Sequence, residues 1–274
     1  MKKHFTTILL VIILVIGLSL LLYPTVSDYW NSLHQSRAIV DYDAALSQMA
    51  PEDFSALFEE AEDYNKRIAK LRFPLMYHDE VEGYEEALDV SGTGIMGYLT
   101  VPKIDVQLPV YHGTSEGVLQ VAVGHLEGTS LPTGGAGTHC VFSAHRGLPS
   151  ARLFTDLPKL ELGDTFSVTV LDRLMTYEVD QILIVEPEEV EPLYVVEGKD
   201  YCTLVTCTPY GVNSHRILVR GHRIENPEEV KLIYVTADAV QIAPVLVAPI
   251  VAAPMLLLLL IVLIIPKRRK KEER

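Results

Sequence analysis

The chain has 274 residues, a formal net charge of −13 and a hydrophobic content of 49%. So acidic a chain is not expected to bind nucleic acid, because a phosphate backbone attracts basic surfaces. Its three cysteines, Cys140, Cys202 and Cys207, are too few, and odd in number, for the disulfide framework of an exported domain. At least one of them is therefore expected to be a free thiol.

The N-terminus carries an uncharged apolar run, from Phe5 to Leu22, directly after Lys2 and Lys3. The run is long enough to cross the hydrocarbon layer of a bilayer as a helix. A cleavable signal peptide has the same basic start, but no small-x-small cleavage site follows the run. We therefore assign residues 1–27 to an uncleaved N-terminal membrane anchor.

A second uncharged run, Val245–Ile265, lies near the C-terminus and is followed by KRRKKEER. Pro249 and Pro254 interrupt it, but prolines are tolerated in membrane helices where neighbouring groups satisfy the freed carbonyls. We assign residues 245–274 to a C-terminal transmembrane helix with a basic tail and 227–244 to a linker. Because basic residues flank both runs on their outer sides, the positive-inside rule predicts two cytoplasmic termini and an extracellular domain between two spans.

Residues 28–94 form a predicted helical extension. Apolar side chains recur at helical spacing after a Pro-Glu-Asp start, which favours two helices that meet near Ala50-Pro51 and end near Leu71. Residues 72–94 contain prolines, glycines and acids without clean periodicity. They indicate a long connection, and long connections of this kind are often functional.

In residues 95–226 the sequence pattern changes from helical spacing to short, β-rich runs separated by turn signals. This pattern predicts an all-β barrel or sandwich. The runs are GYLTVP, VQLPVY, THCVFSAH, TFSVTVL, LMTYEVDQILIV, YCTLVTCT and SHRILVRGHRI.

Cys207 is the candidate nucleophile. It closes the run YCTLVTC and is followed at once by the turn-forming Thr-Pro-Tyr-Gly, which places its side chain at the rim of the sheet. Cys140 and Cys202 lie inside apolar strand sequence, where inert burial is the expected fate. Since the thiolate is the attacking species, Cys207 needs a basic or cationic neighbour.

Two further residues are candidates for that site. His145 ends the run CVFSAH and begins a turn, so it also lies at a strand end. Arg216 follows Cys207 by nine positions, across a single turn, and adjacent antiparallel strands would bring its guanidinium to a developing oxyanion. Arg220 shares the face of Arg216 but lies about 13 Å further along. The role of a solvated surface arginine suits Arg220 and Arg223 better.

These residues lie within motifs that resemble those of class C sortases, the pilin polymerases of Gram-positive bacteria. The similarity covers about residues 95–225 and is carried by LPVYHGTSEGVLQ, VGHLEGTSLPTGG, SAHRGLPSARLFTDL and TLVTCTPYGVNSHRILVRGHRI. It implies a closed eight-stranded β-barrel and a catalytic trio of His145, Cys207 and Arg216. The cysteine would cleave an LPXTG-like sorting signal through a thioester, which a lysine amine of a pilin subunit would resolve. No metal or cofactor is expected.

One feature departs from that class. Class C enzymes usually carry a lid with an Asp-Pro-aromatic motif before the barrel, and no such triplet occurs between Lys70 and Gly94. Whether residues 72–92 form a lid stays open, with an ordinary connector as the alternative. Two other functions also remain: a sortase of another class that anchors proteins to cell-wall peptide, and a non-catalytic pilus-assembly or adhesion module.

Overall fold

A computed structural model describes residues 2–227 of the chain. The α-helices of this range are α1 (Lys2–Leu46), α2 (Pro51–Ile68), α3 (Pro74–Tyr77) and α4 (Glu116–Leu119). Its strands are β1 (Ile95–Val101), β2 (Val106–Tyr111), β3 (Val123–His125), β4 (Thr138–Ser143), β5 (Thr165–Val170), β6 (Arg173–Val185), β7 (Asp200–Thr208) and β8 (His215–Ile224). The predicted second span, Val245–Ile265, and nearly all of the predicted linker lie outside the described residues.

Helix α1 joins the predicted anchor and the first half of the predicted extension in one continuous element, Lys2–Leu46. The boundary expected after residue 27 therefore falls inside a helix. Within residues 2–227, α1 is the one helix long and apolar enough to cross a membrane. Near its other end, the buried hydroxyl of Tyr42 donates to the carbonyl of Met96 at 3.1 Å and accepts from the amide of Leu171 at 2.8 Å. These bonds fix the helix to the barrel.

Helix α2 begins where the Pro-Glu-Asp signal predicted. The Asp53 carboxylate accepts a hydrogen bond from the Ala50 amide at 3.0 Å, and acidic residues in a first turn also favour the helix dipole. One face is buried against the barrel core; it comprises Phe58, Ala61, Tyr64, Asn65 and Ile68. The two predicted helices are thus confirmed, with their junction at residues 47–50.

The eight strands close into a barrel in the order β1-β2-β3-β4-β7-β8-β6-β5. The predicted eight-stranded barrel is thus confirmed, and the alternative of a sandwich is wrong. Strands β2 and β3 pair in parallel, as do β4 and β7, and the other neighbours pair antiparallel. Closure leaves no sheet edge exposed. The β4–β7 pairing is important for the site, because it aligns the ends of two strands that are distant in sequence.

Strands β4, β7 and β8 carry apolar residues on both faces. Phe142, Leu204 and Val219 are fully buried in the main core. Because side chains alternate along a strand, their neighbours lie on the other face of the sheet, where a second cluster forms. This outer-face cluster comprises Val141, Val185, Leu193, Val205 and Leu218.

The connection 72–94 contains α3 and a 3₁₀ turn at His78–Glu80. Leu75 of α3 packs against the outer-face cluster. A Cβ atom on Gly128 would lie 2.6 Å from the carbonyl oxygen of Pro74, so only glycine permits this approach. His78 lies 3.3 Å from the carboxylate of Glu127. The connection is therefore docked on the barrel near the β4–β7–β8 sheet.

Candidate active site

Cys207 and Arg216 face each other across the β7–β8 hairpin, where they are register partners. Cys207 is half-buried, and strand alternation puts it on the same face as Val205. The Arg216 guanidinium donates to the carbonyl oxygens of Asn213 at 3.2 Å and His215 at 3.1 Å. These two bonds hold its positive charge at the hairpin turn that follows Cys207.

His145 follows β4 by two residues and is held beside β7 through its backbone neighbours. The Ala144 amide donates to the Val205 carbonyl at 3.3 Å, and the Thr206 hydroxyl donates to the Ala144 carbonyl at 2.7 Å. On the other side, the His145 carbonyl accepts from the Phe154 amide at 3.1 Å. The parallel pairing of β4 with β7 therefore brings His145 to the same rim as Cys207.

The residues after His145 explain why the motif continues with Arg-Gly. The Arg146 guanidinium donates to the Thr208 hydroxyl at 3.3 Å and lies 5.9 Å from the centre of the Tyr210 ring. Gly147 has a φ of +77°, and a Cβ there would lie 2.6 Å from Tyr210. Both residues thus lock the histidine loop against the chain that follows Cys207, and glycine is required for the close approach.

A model of the sortase domain matches residues 99–224 of the chain. Sortase C1 from Streptococcus agalactiae shares 50% sequence identity and a TM-score of 0.65, and the match covers 70% of this chain and 100% of that one. Sortase C from Streptococcus pneumoniae gives 43% identity and a TM-score of 0.63, over 69% of this chain and 97% of that one. The chain belongs to the sortase family. These structural neighbours are class C sortases, and sortases are cysteine transpeptidases.

More distant curated sortases match over a smaller part of their length. Sortase D from Bacillus subtilis is 28% identical over 47% of this chain and 63% of its own length. Sortase A from Streptococcus agalactiae is 30% identical over 42% of this chain and 47% of its own length. The chain thus spans about half to three-fifths of these two curated relatives.

Glu116 is a residue of this sortase that sequence reasoning missed. Its carboxylate lies 3.7 Å from Nε2 of His145, and it is exposed on the short helix α4. An exposed glutamate in a turn-rich segment carries no sequence signal of its own. The β2–β3 connection brings it to the histidine, where it offers an attraction that only the protonated imidazole can use.

Arg220 differs from Arg216 because its guanidinium is bound by other side chains of the barrel. Its guanidinium forms an ion pair with Asp180 at 2.9 Å and lies 4.1 Å from the centre of the Tyr201 ring, with 20% of its side chain exposed. Arg220 therefore lies partly exposed at the barrel surface, where an ion pair with Asp180 that the sequence did not predict holds it. Both of its partners hold it away from the thiol, four residues along β8 from Arg216.

A buried polar group lies further along the same face. His139 Nε2 lies 2.7 Å from the Thr203 hydroxyl and Nδ1 lies 3.0 Å from the Tyr194 carbonyl. Burial lowers the pKa of His139, so the imidazole is neutral and holds the β6–β7 connection on the sheet. Within residues 2–227, no group of three or more histidine, cysteine or acidic side chains is arranged to bind a metal ion.

Proposed function

We propose that this chain is a membrane-anchored class C transpeptidase that links pilin subunits. In this proposal it cleaves an LPXTG-like sorting signal and joins the new carboxyl end to a lysine amine of another subunit. The observation that carries the proposal is the pairing of Cys207 with Arg216 at the rim to which the β4–β7 pairing also brings His145. The structure of the Streptococcus pneumoniae sortase C was described in terms of pilin substrate specificity, which supports this choice of substrate.

The first half-reaction forms a thioester. The sulfur of Cys207 attacks the carbonyl carbon of the scissile Thr-Gly bond, and the thiol proton passes to His145. Arg216 stabilises the negative charge that develops on the carbonyl oxygen. His145 then returns the proton to the departing glycine amine, the carbon–nitrogen bond breaks, and the acyl group remains on sulfur.

The second half-reaction exchanges the nucleophile. A lysine amine attacks the thioester carbon, gives up a proton to His145, and forms an isopeptide bond as Cys207 leaves. The proton returns to the sulfur, which restores the starting state. Water can replace lysine in this step, so productive linkage requires the acceptor to reach the rim before hydrolysis occurs.

The outer-face cluster is suited to the apolar part of the signal. Val205 lies on the face of Cys207, two residues before it, and Val141 and Leu218 belong to the neighbouring strands. An extended Leu-Pro segment laid along this face would bury apolar surface and deliver the following Thr-Gly bond to the thiol. Burial of side chains of this size contributes roughly 1.5–3 kcal/mol each when complete.

Co-expression with a pilin tests the proposal. Wild-type chain together with an exported protein that bears an LPXTG-like signal should produce covalent ladders of high molecular mass, and Cys207→Ala should produce none. Ladders that persist in the mutant would overturn the mechanism. Monomers joined to cell-wall peptide, without ladders, would instead identify a sortase that anchors single proteins.

We further propose that residues 72–92 act as a lid, with Leu75 in the place that substrate leucine would take. Support comes from the packing of Leu75 on the outer-face cluster and from the close approach of Pro74 to Gly128. This lid uses an aliphatic side chain, since the Asp-Pro-aromatic triplet is absent from residues 70–94.

Adjacent substitutions in α3 test the lid. Leu75→Asp should raise the turnover of a short sorting peptide, because a carboxylate is expelled from an apolar surface. Met76→Asp is the matched control, since Met76 is 67% exposed. Deletion of residues 72–92 should increase turnover at least as much as Leu75→Asp. An unchanged rate in both the deletion and Leu75→Asp would refute the lid.

A further inference from the structure

Helix α1 changes its surroundings within a single turn. Every residue from 13 to 26 is exposed, so no part of the barrel covers this stretch, and the next two residues, Ser27 and Asp28, are partly buried. The exposed stretch belongs to the apolar segment that can cross a membrane. The same helix therefore passes from the expected bilayer directly into contact with the barrel, without an intervening linker.

Three polar side chains on one face of α1 make that contact. The Asp28 carboxylate accepts from the Arg152 amide at 2.7 Å. The Asn31 amide donates to the Ser150 carbonyl at 2.7 Å, and the Gln35 amide donates to the Val121 carbonyl at 2.7 Å. All three bonds go to backbone atoms of two loops. They fix the position and the angle of the helix relative to these loops.

The two loops are those on either side of His145. The loop with Ser150 and Arg152 begins at His145 and is closed by the bond from the Phe154 amide. The other loop contains α4, whose Glu116 lies 3.7 Å from the imidazole. The anchor helix is thus braced against both neighbours of the histidine.

The distance from the membrane follows from helix geometry. The apolar run ends at Leu22, and with a rise of 1.5 Å per residue Asp28 lies about 9 Å beyond it. The headgroup region of one leaflet is roughly 5–8 Å thick. Exposed Tyr23, Tyr29 and Trp30 flank this level, and such aromatic side chains favour the membrane interface. The loop bonded to Asp28 and Asn31 therefore lies at the outer edge of the headgroups.

We propose that this loop, residues 149–152, contacts the lipid headgroups of the bilayer that holds α1. We name it the membrane-facing loop. The contact fixes the histidine side of the active site at the membrane surface, so that the enzyme acts on polypeptides still held in the same bilayer. The lipid contact rests on the geometry of α1, whereas the preference for membrane-held substrates rests on the proposed function.

A depth measurement tests the contact. The full chain carrying Cys207→Ala is placed in liposomes and labelled with a fluorophore at Pro149→Cys, which is exposed. The matched control is a label at exposed Asp172→Cys. The neighbouring Leu171 bonds to Tyr42, which lies about 21 Å further along α1 than Asp28. Lipids with a nitroxide on the headgroup should quench the label at 149 and leave that at 172 bright. Equal quenching, or none at 149, would overturn the contact.

An insertion tests the functional consequence. Seven helix-forming residues between Val26 and Ser27 move the barrel about 10 Å further from the membrane. They change its rotation about the axis of α1 by only about 20°. Quenching at 149 should disappear. Linkage of a membrane-held substrate should fall by about 10-fold or more, while turnover of a soluble sorting peptide stays unchanged. The control is the same heptad after Gln48, in the connection between α1 and α2, which leaves the span-to-barrel distance as it is.

The outcomes separate the two proposals. Equal linkage rates for the insertion and its control would overturn the role of membrane distance. A wild-type chain that turns over neither substrate would refute the proposed function, and the quenching measurement would still decide whether the membrane-facing loop touches lipid.

Discussion

Strand β7 carries two cysteines in opposite environments. Cys202 is fully buried inside the barrel, opposite Cys140 of β4, and the burial of Cys140 raises the pKa of its thiol well above its usual range. Cys207 is half-buried at the end of the same strand, beside Arg216. The residue type is the same, and a difference of five positions along one strand separates a cysteine buried in the core from one partly exposed at the rim.

Two histidines repeat the contrast. His125 is fully buried, and burial lowers its pKa to about 4. Its Nε2 donates to the Ser130 carbonyl at 2.9 Å and its Nδ1 accepts from the Tyr84 hydroxyl at 2.9 Å, so the neutral ring is fully satisfied. His145 is partly exposed and lies near a carboxylate. Burial in the barrel interior therefore keeps the His125 imidazole and the Cys140 thiol neutral, whereas His145 and Cys207 are both partly exposed at the rim.

Selective alkylation is the largest expected difference between rim and interior. A thiol reagent at neutral pH should modify Cys207 in the folded chain and reach Cys140 and Cys202 at least about 1,000-fold more slowly, because buried thiols react only through opening of the barrel. Peptide mass spectrometry over time gives the rates. Comparable labelling of the interior pair in the folded chain would contradict the contrast.

Arg216 and Arg220 extend the comparison of rim and interior to β8, because both lie on this strand but only Arg216 is near its rim end. Arg216→Ala should lower kcat/KM for a sorting peptide by about 10²–10³-fold, the usual effect of removing a group that stabilises an oxyanion. Arg220→Ala is the matched control, because Arg220 lies on the same strand as Arg216 and its loss removes an ion pair with Asp180 of β6. It should change kcat/KM by only a few fold. Similar losses in both variants would show that Arg216 has no special role.

Acid should destabilise the interior through His125. Its folded-state pKa of about 4 lies below the ordinary 6.5, so below pH 6.5 the unfolded chain binds a proton that the folded chain does not. The free energy of unfolding should therefore fall as the pH drops from 6.5 to 4, by roughly 3 kcal/mol from this residue. Denaturant unfolding at several pH values measures the slope. His125→Gln should reduce it, and an unchanged slope would exclude this origin.

Much of the barrel could be predicted because most strands are β-rich runs of six or more residues bounded by turn signals. The hairpin spacing alone paired Cys207 with Arg216 correctly on adjacent strands. Strand β3 gave no comparable signal, since it is only Val123–His125 with a glycine in its centre. A Cβ on Gly124 would lie 2.3 Å from the Gly113 carbonyl oxygen. That glycine serves close packing, which a periodicity pattern does not record.

Contacts between segments that are distant in the chain could not be predicted from the sequence. The parallel pairing of β4 with β7 brings His145 to the thiol's rim, and the residues between these strands give no register for it. The approach of Glu116 to His145 and the bonds from α1 to the loops beside it are similarly non-local. Motif resemblance supplied His145, but not these neighbours. The catalytic roles of the trio remain predictions.

Exchange of sulfur for oxygen in the two cysteines of β7 is the most direct comparison, and its effect on stability is the smallest expected here. Cys202→Ser places a hydroxyl in the apolar interior and should lower the free energy of unfolding by about 1–3 kcal/mol, while Cys207 remains alkylatable. Cys207→Ser should leave stability within about 0.5 kcal/mol, because its site is half-exposed, and should abolish formation of the thioester. Denaturant unfolding and peptide turnover measure the two quantities in both variants. If Cys202→Ser cost no stability, burial alone would not account for the difference between the two positions.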